Sequence, residues 1–390
     1  MKKQSNDNLF FALMQGFYWA TCVCFNVFLV FYLETLHIPS SQIGLLLTVG
    51  MLAGVTSQYF WGYLCDRLKG IKKVISLCII GTIIAVWSLS MVHDFTAILV
   101  VYIAFMIFQP VIPSLIDTWI IHHSLSTQRN YGKLRGVGSL TFAVMSSFFG
   151  ILVEKYFYNA MAIGFTLLSI LLFITVILSK DIAKESEDVK KETEHKASPR
   201  VLFKNTKFIV FLFGITLVFI PNSFISSYMF YIARSVNGSA REMGLAFGLA
   251  AILEVPIFLM FGRITKKVSI EKLLIIGSVF LIGRILQLVF IKTPYGMYTN
   301  ALFHGVGFPL ITSCLRHYVP TIVPKNLAVT GQAIAGAFAG GVPYIIATSV
   351  GGNVLQHYGL TSCYILFGLL GTLSLIPFVY LSLSASKDRR

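Results

Sequence analysis

Five ionisable side chains sit where the sequence is otherwise almost free of charge: Asp117, Arg135, Glu254, Arg284 and His304. Each falls inside a predominantly apolar stretch. A charge at the centre of a membrane costs about 2.5–3.5 kcal/mol on insertion scales. The two acids and two arginines together would cost about 10–14 kcal/mol if unpaired, which rivals the whole stability of a domain. They must therefore pair or face a wet cavity. In either place an acid beside an arginine can bind a polar solute or pass a proton. Asp117 and Arg135 are separated by one short turn, so they can meet across a helical hairpin. They form either a substrate-binding, proton-linked pair or a structural ion pair that fixes the hairpin. Glu254 and Arg284 offer a second cross-helix pair, with function and structure equally open. Histidine titrates near neutral pH, so His304 is a further candidate, although a lone buried histidine is often only hydrogen-bonded.

Less specific are Trp19, Asn26, Trp119, Phe142, Asn222, Tyr228, Gln287 and Gln332, which lie within or at the ends of the same stretches. They could line a cavity, and packing or interfacial anchoring accounts for most of them. Trp119 follows Asp117 by two positions, about 200° around a helix, and is expected to face elsewhere.

The elements that carry these residues follow from composition. The chain has 390 residues, 56% hydrophobic and only 12% charged, with a mean hydropathy of +0.78. Soluble domains carry about 25% charged residues, so this chain belongs in a bilayer. Its net charge of +15 is not gathered into one basic face. The charges punctuate long uncharged runs, as cytoplasmic membrane loops do, and nucleic acid is not a partner. Six cysteines without a CxxC pair argue against a disulfide framework or a zinc site. No glycine-rich P-loop motif is present, and no soluble catalytic or sensing module, so ATP-driven transport, an enzyme or a receptor finds no support. No cofactor is expected. Met1-Lys2-Lys3 precedes an apolar run too long for a signal-peptide core and reads as a retained first helix.

A spanning helix needs about 20 apolar residues. Spans are expected in 8–33, 35–65, 74–93, 95–116, 134–153, 156–180, 208–233, 243–261, 273–291 and 295–315. Two more lie within Asn326 to Ser386, turning at His357-Tyr358-Gly359. That predicts an all-α membrane protein of twelve transmembrane helices. With both termini cytoplasmic, inside segments hold 25 basic residues and outside loops 4, the asymmetry the positive-inside rule demands. The lysine- and glutamate-rich stretch 180–207 divides the chain into a six-helix bundle at 1–179, a cytoplasmic linker, and a second six-helix bundle at 208–390. Paired glycines at Gly50/Gly54, Gly132/Gly136, Gly244/Gly248 and Gly336/Gly340 have the spacing that allows close helix approach.

Between spans 2 and 3, Gly62-x-x-x-Asp66-Arg67-x-x-Gly70-x-Lys72-Lys73 resembles the signature loop of the major facilitator superfamily. A degenerate copy, Gly262-Arg263-Ile-Thr-Lys266-Lys267, stands two hundred positions later. The resemblance covers essentially the whole chain and implies two pseudo-symmetric six-helix bundles, alternating access, and a gating role for the loop. Asp66 would meet neighbouring helix ends, and the basic residues would latch the cytoplasmic gate. A narrower likeness is to the lactose-permease-like branch, with its oligosaccharide–proton symporters and phenylpropionate and nucleoside permeases. Pro113 to Asp117 and Tyr131 to Ser139 look like that branch's helix 4–5 hairpin. The resemblance gives substrate binding to Asp117 and Arg135 and sugar stacking to Phe142. Glu254, Arg284 and His304 match the branch's intramembrane polar residues less tightly.

Two departures stand out. The branch's coupling carboxylate, one turn after the histidine, is Gly307 here, and no lysine occurs between Asn326 and Ser386. A coupled proton would then ride on Asp117 or Glu254. The expectation is a monomeric, multi-pass protein of a bacterial plasma (inner) membrane, importing a small polar or aromatic solute with protons. The alternative is a proton-driven drug or metabolite exporter.

Overall fold

The computed structural model describes residues 2–68, 70–123, 127, 130–179 and 199–388, without the side chain of Asp66 and a few others. Most of the expected linker, 180–198, lies outside the described residues. No strand occurs among them. Helix is the structure that satisfies backbone N–H and C=O groups within one apolar segment. The chain forms two compact units, Met1–Lys190 and Lys191–Arg390.

In the first unit, α1 (Lys2–Cys22) runs through a π-helical turn, Val23–Val27, into α2 (Leu29–Thr35). Then come α3 (Ser40–Leu68), α4 (Ile71–Leu89) and α5 (Phe95–Phe108). The Asp94 carboxylate starts α5 by accepting from the amides of Thr96 and Ala97. Pro110, which lacks an amide hydrogen, separates α5 from α6 (Val111–His123). The last helix, α7 (Tyr131–Leu178), has 48 residues and breaks at Phe157, where φ is 50° and ψ −134°. The core packs Phe11, Ile75, Ile116 and Trp119 together. Trp119 is fully buried and meets Phe11 edge-on.

The second unit repeats the plan. It contains α8 (Thr206–Ser227), α9 (Met229–Ser235), α10 (Ala240–Ile264), α11 (Ile270–Gln287), α12 (Tyr295–Ile322), α13 (Ala328–Leu373) and α14 (Leu375–Asp388). Asn205 caps α8, and Ser239 with Glu242 forms a capping box on α10. α13 breaks at Gly359, where φ is +77°, within the turn expected there. The helix breaks match between units. Leu29 and Met229 each open a short helix, and each is followed by a left-handed residue, His37 and Asn237.

Among the described residues, eight helical runs are long and apolar enough to cross a membrane, and two of them, Tyr131–Leu178 and Lys325–Ser386, have 48 and 62 residues. The glycine pairs differ in use. A side chain at Gly50 would collide with Tyr102, and one at Gly54 would press on Pro110 and Met106, so α3 lies close on α5. Gly132, Gly136, Gly336 and Gly340 meet nothing within 4 Å, so close approach is not their role here.

Candidate functional site

Asp117 and Arg135 make no ion pair with each other, which corrects the expected bridge across the hairpin; among the described residues α1 stands between them. Gln15 Nε2 donates to Asp117 Oδ1 at 2.7 Å, and Trp19 Nε1 donates to Gln15 Oε1 at 3.3 Å. The Arg135 guanidinium lies over the Trp19 ring, 4.3 Å from its centroid. Phe142 meets the same indole edge-on at 6.2 Å. Gln15 and Trp19 are one helical turn apart, which puts both on one face of α1. Gly138, one turn beyond Arg135, makes room: a Cβ there would lie 2.4 Å from the Trp19 ring.

This arrangement leaves binding capacity exposed. Arg135 lies over the indole and makes no hydrogen bond to another described residue, so its fork of N–H donors is unspent. Asp117 keeps one carboxylate oxygen uncommitted. Such a shelf suits a solute with a hydroxyl, carboxylate or ring edge for Arg135 and a donor for Asp117. Asn26 is not brought to it; it sits in the π-helical turn with its side chain exposed.

The second unit holds a tighter network. Here too the expected direct pair is replaced by a relay, because His304 stands between Glu254 and Arg284. His304 Nε2 lies 3.1 Å from Glu254 Oε1, and His304 Nδ1 lies 2.9 Å from Arg284 Nη1. Arg284, 3% exposed, also donates from Nη1 to Asn222 Oδ1 and from Nε to Asn300 Oδ1 at 3.1 Å. Asn300 Nδ2 returns a bond to the Arg284 carbonyl at 2.6 Å. Phe308 stacks on the imidazole at 4.9 Å. Arginine is always a donor, so Nδ1 accepts and the hydrogen assigned to Nε2 points at the Glu254 carboxylate.

Gly307 is closed to any side chain. A Cβ there would sit 2.8 Å from Leu281 and 3.0 Å from the Gly277 carbonyl oxygen, because α12 presses on α11 at this point. The acid that faces the histidine comes from α10 instead, as Glu254. In the signature segment, Lys72 donates to the carbonyls of Ile177 and Ser179 at the end of α7, the latter at 3.1 Å. Gly62 is open, Arg67 and Lys73 are exposed, and Gly70 precedes α4 as its N-terminal cap; the Asp66 side chain lies outside the described residues.

Gln15 and Asn300 were not singled out by sequence. Each stands one turn before a residue that was, Trp19 and His304, and that i, i+4 spacing was the available signal.

Residues 11–366 match the family described as MFS_1 like. The chain belongs to that family. Its members are major facilitator transporters, multi-pass membrane proteins that act on small molecules and are not enzymes. Among relatives, the uncharacterized transporter YwbF of Bacillus subtilis (strain 168) is 24% identical over 385 residues, 97% of this chain and 95% of that protein. The maltose permease of Geobacillus stearothermophilus is 22% identical, covering 95% and 93%. The quinolone resistance protein NorA of Staphylococcus aureus (strain COL) is 24% identical, covering 80% and 82%. By fold, the MFS_1-like chain superposes on a mutant of the nucleoside transporter NupG with a TM-score of 0.84 at 16% identity, covering 96% and 99%. Superposition on a D-xylose–proton symporter gives 0.70 at 14% identity, covering 95% and 96%.

Proposed function

We propose that this protein imports a small polar or aromatic solute, such as an oligosaccharide, nucleoside or aromatic acid, together with protons by alternating access. The observation that carries the reading is the Arg135 guanidinium over Trp19 with its donors unspent, beside an Asp117 that Gln15 half occupies. A structural ion pair would have satisfied both charges; this arrangement keeps both available to a ligand. The Glu254–His304 couple carries the proton, since Gly307 leaves no room for a carboxylate on α12. Splitting the two long helical runs at Phe157 and Gly359, and adding α11 and α12 to the eight apolar runs, supports a reading of twelve spans in a 6+6 division. The basic-residue asymmetry supports both termini on the cytoplasmic side of a bacterial plasma membrane, with a monomer as the working unit.

Substrate-induced current in proteoliposomes under an imposed pH gradient tests this, with maltose, uridine and an aromatic acid as probes. A current for one class that disappears in Arg135→Ala supports the importer. Silence for all three, with proton-driven extrusion of a hydrophobic dye, favours an exporter. The likeness to NorA keeps that second reading, while the absence of proline from Leu134 to Val153 leans against it.

A further inference from the structure

A cavity of about 30 Å³ lies inside the second unit, lined among others by Ser226, Met229, Ala250, Arg284, Asn300 and His304. That is room for one or two waters. Its rim is the exposed Ser226, and Met229, Ala250, Arg284 and Asn300 are buried. Arg284 commits Nε and Nη1 to Asn300, Asn222 and His304. Its Nη2 makes no hydrogen bond to another described residue, and Arg284 lines the cavity, where polar groups are ordinarily met by water. A water in the cavity supplies the missing acceptor and places a proton carrier beside the imidazole.

Asn222 Oδ1 is the second half of the device. It accepts from Arg284 Nη1 and lies 3.1 Å from His304 Nδ1. When Nδ1 is bare, it accepts from Arg284. When Nδ1 carries hydrogen, it can donate to Asn222 Oδ1, and Arg284 keeps Asn300 and the cavity water. One carbonyl oxygen therefore serves both protonation states of His304. We propose that this cavity is a hydrated proton-access site ending on His304 Nδ1, and that Asn222 is the positioning residue that lets the imidazole load. In the loading step, an O–H bond of a hydrated proton breaks and an N–H bond forms at Nδ1, leaving water and an imidazolium. The Nε2 hydrogen is then shared with the Glu254 carboxylate. The charged groups facing His304 are Glu254 from α10 and Arg284 from α11; α8 contributes Asn222, and α12 contributes Asn300 and Phe308. The inference rests on the proton-linked reading above and assigns that reading a route.

The test uses the full chain in lipid nanodiscs with ¹⁵N-labelled histidine, the His304 signals being those lost in His304→Gln. Near neutral pH, Nδ1 should be a bare acceptor and Nε2 protonated, with Nδ1 gaining its hydrogen on acidification. Asn222→Leu should lower the His304 midpoint by about one pH unit, and Asn222→Asp should raise it, since hydrogen bonds to charged groups exceed neutral ones. Ala250→Leu, or Ser226→Phe at the rim, should slow exchange of the ring hydrogen with water about tenfold by occluding the cavity. A hydrogen on Nδ1 at neutral pH, or variants that titrate and exchange like the unmodified protein, overturns the proposal. Failure of the proton-linked reading is a separate result: pH-gradient accumulation that survives Glu254→Gln removes the coupling role and leaves the imidazole measurements to be judged alone.

Discussion

Gln15 shows how a neutral residue can govern two charged ones. It spends its amide hydrogen on Asp117 and its carbonyl on Trp19, so the acid and the arginine are held apart but in one frame. Gln15→Leu should strip Asp117 of its donor, costing about 1–3 kcal/mol and weakening ligand binding at least tenfold. Thermal unfolding and equilibrium binding report the two effects separately. Arg135→Lys should fail to restore binding, because an ammonium has neither the flat face that covers Trp19 nor the forked donor edge; isothermal titration would show it. The charged members of both clusters were legible because a charge in an apolar run is costly enough to demand a reason. Gln15 and Asn300 were not, since a neutral amide in a span is satisfied by ordinary hydrogen bonds to its neighbours and demands a reason less sharply than a charge does. Sequence separation placed Asp117 near Arg135 and Glu254 near Arg284, but it could not say that a glutamine–tryptophan pair and a histidine stand between them.

Helices set what those residues can reach. At Gly307, α12 approaches α11 until only hydrogen fits between it and the Gly277 carbonyl. Gly307→Ala is expected to cost about 1–3 kcal/mol through overpacking, and Gly307→Glu to give an unstable protein rather than a better-coupled one. Detergent-resistant thermal stability would separate these outcomes. At Gly359, φ of +77° suits glycine, so Gly359→Ala should destabilise the α13 break by about 1 kcal/mol or more. The break at Gly359 was readable from His-Tyr-Gly between two apolar runs. The break at Phe157 has no glycine or proline, and only the charged pair Glu154-Lys155 between two apolar runs marked it. The closeness of α11 and α12 was invisible beforehand, because the sequence shows a glycine and not what lies opposite it.

Across the whole molecule, the matched breaks and the two acid–arginine relays give each unit one polar centre of its own. The first has unspent donors and an aromatic shelf; the second has the Glu254–His304–Arg284 network. Ligand binding and proton loading should therefore separate by mutation. Glu254→Gln should retain ligand binding and downhill exchange within about threefold while losing uphill accumulation driven by an acidic exterior. Counterflow and gradient-driven uptake in the same vesicles would measure both. Accumulation equal to that of the unmodified protein would show that the proton is carried elsewhere. Finally, the indole of Trp19 carries a cation on its face and is one of only four tryptophans in the chain. Trp61 and Trp119 are buried, and Trp87 donates to Thr166 away from this cluster. A solute that draws the guanidinium off the ring changes the light that ring emits. The protein thus contains its own fluorescent indicator, silent in Trp19→Phe, with which unlabelled compounds can be screened by the hundred before any transport assay is built.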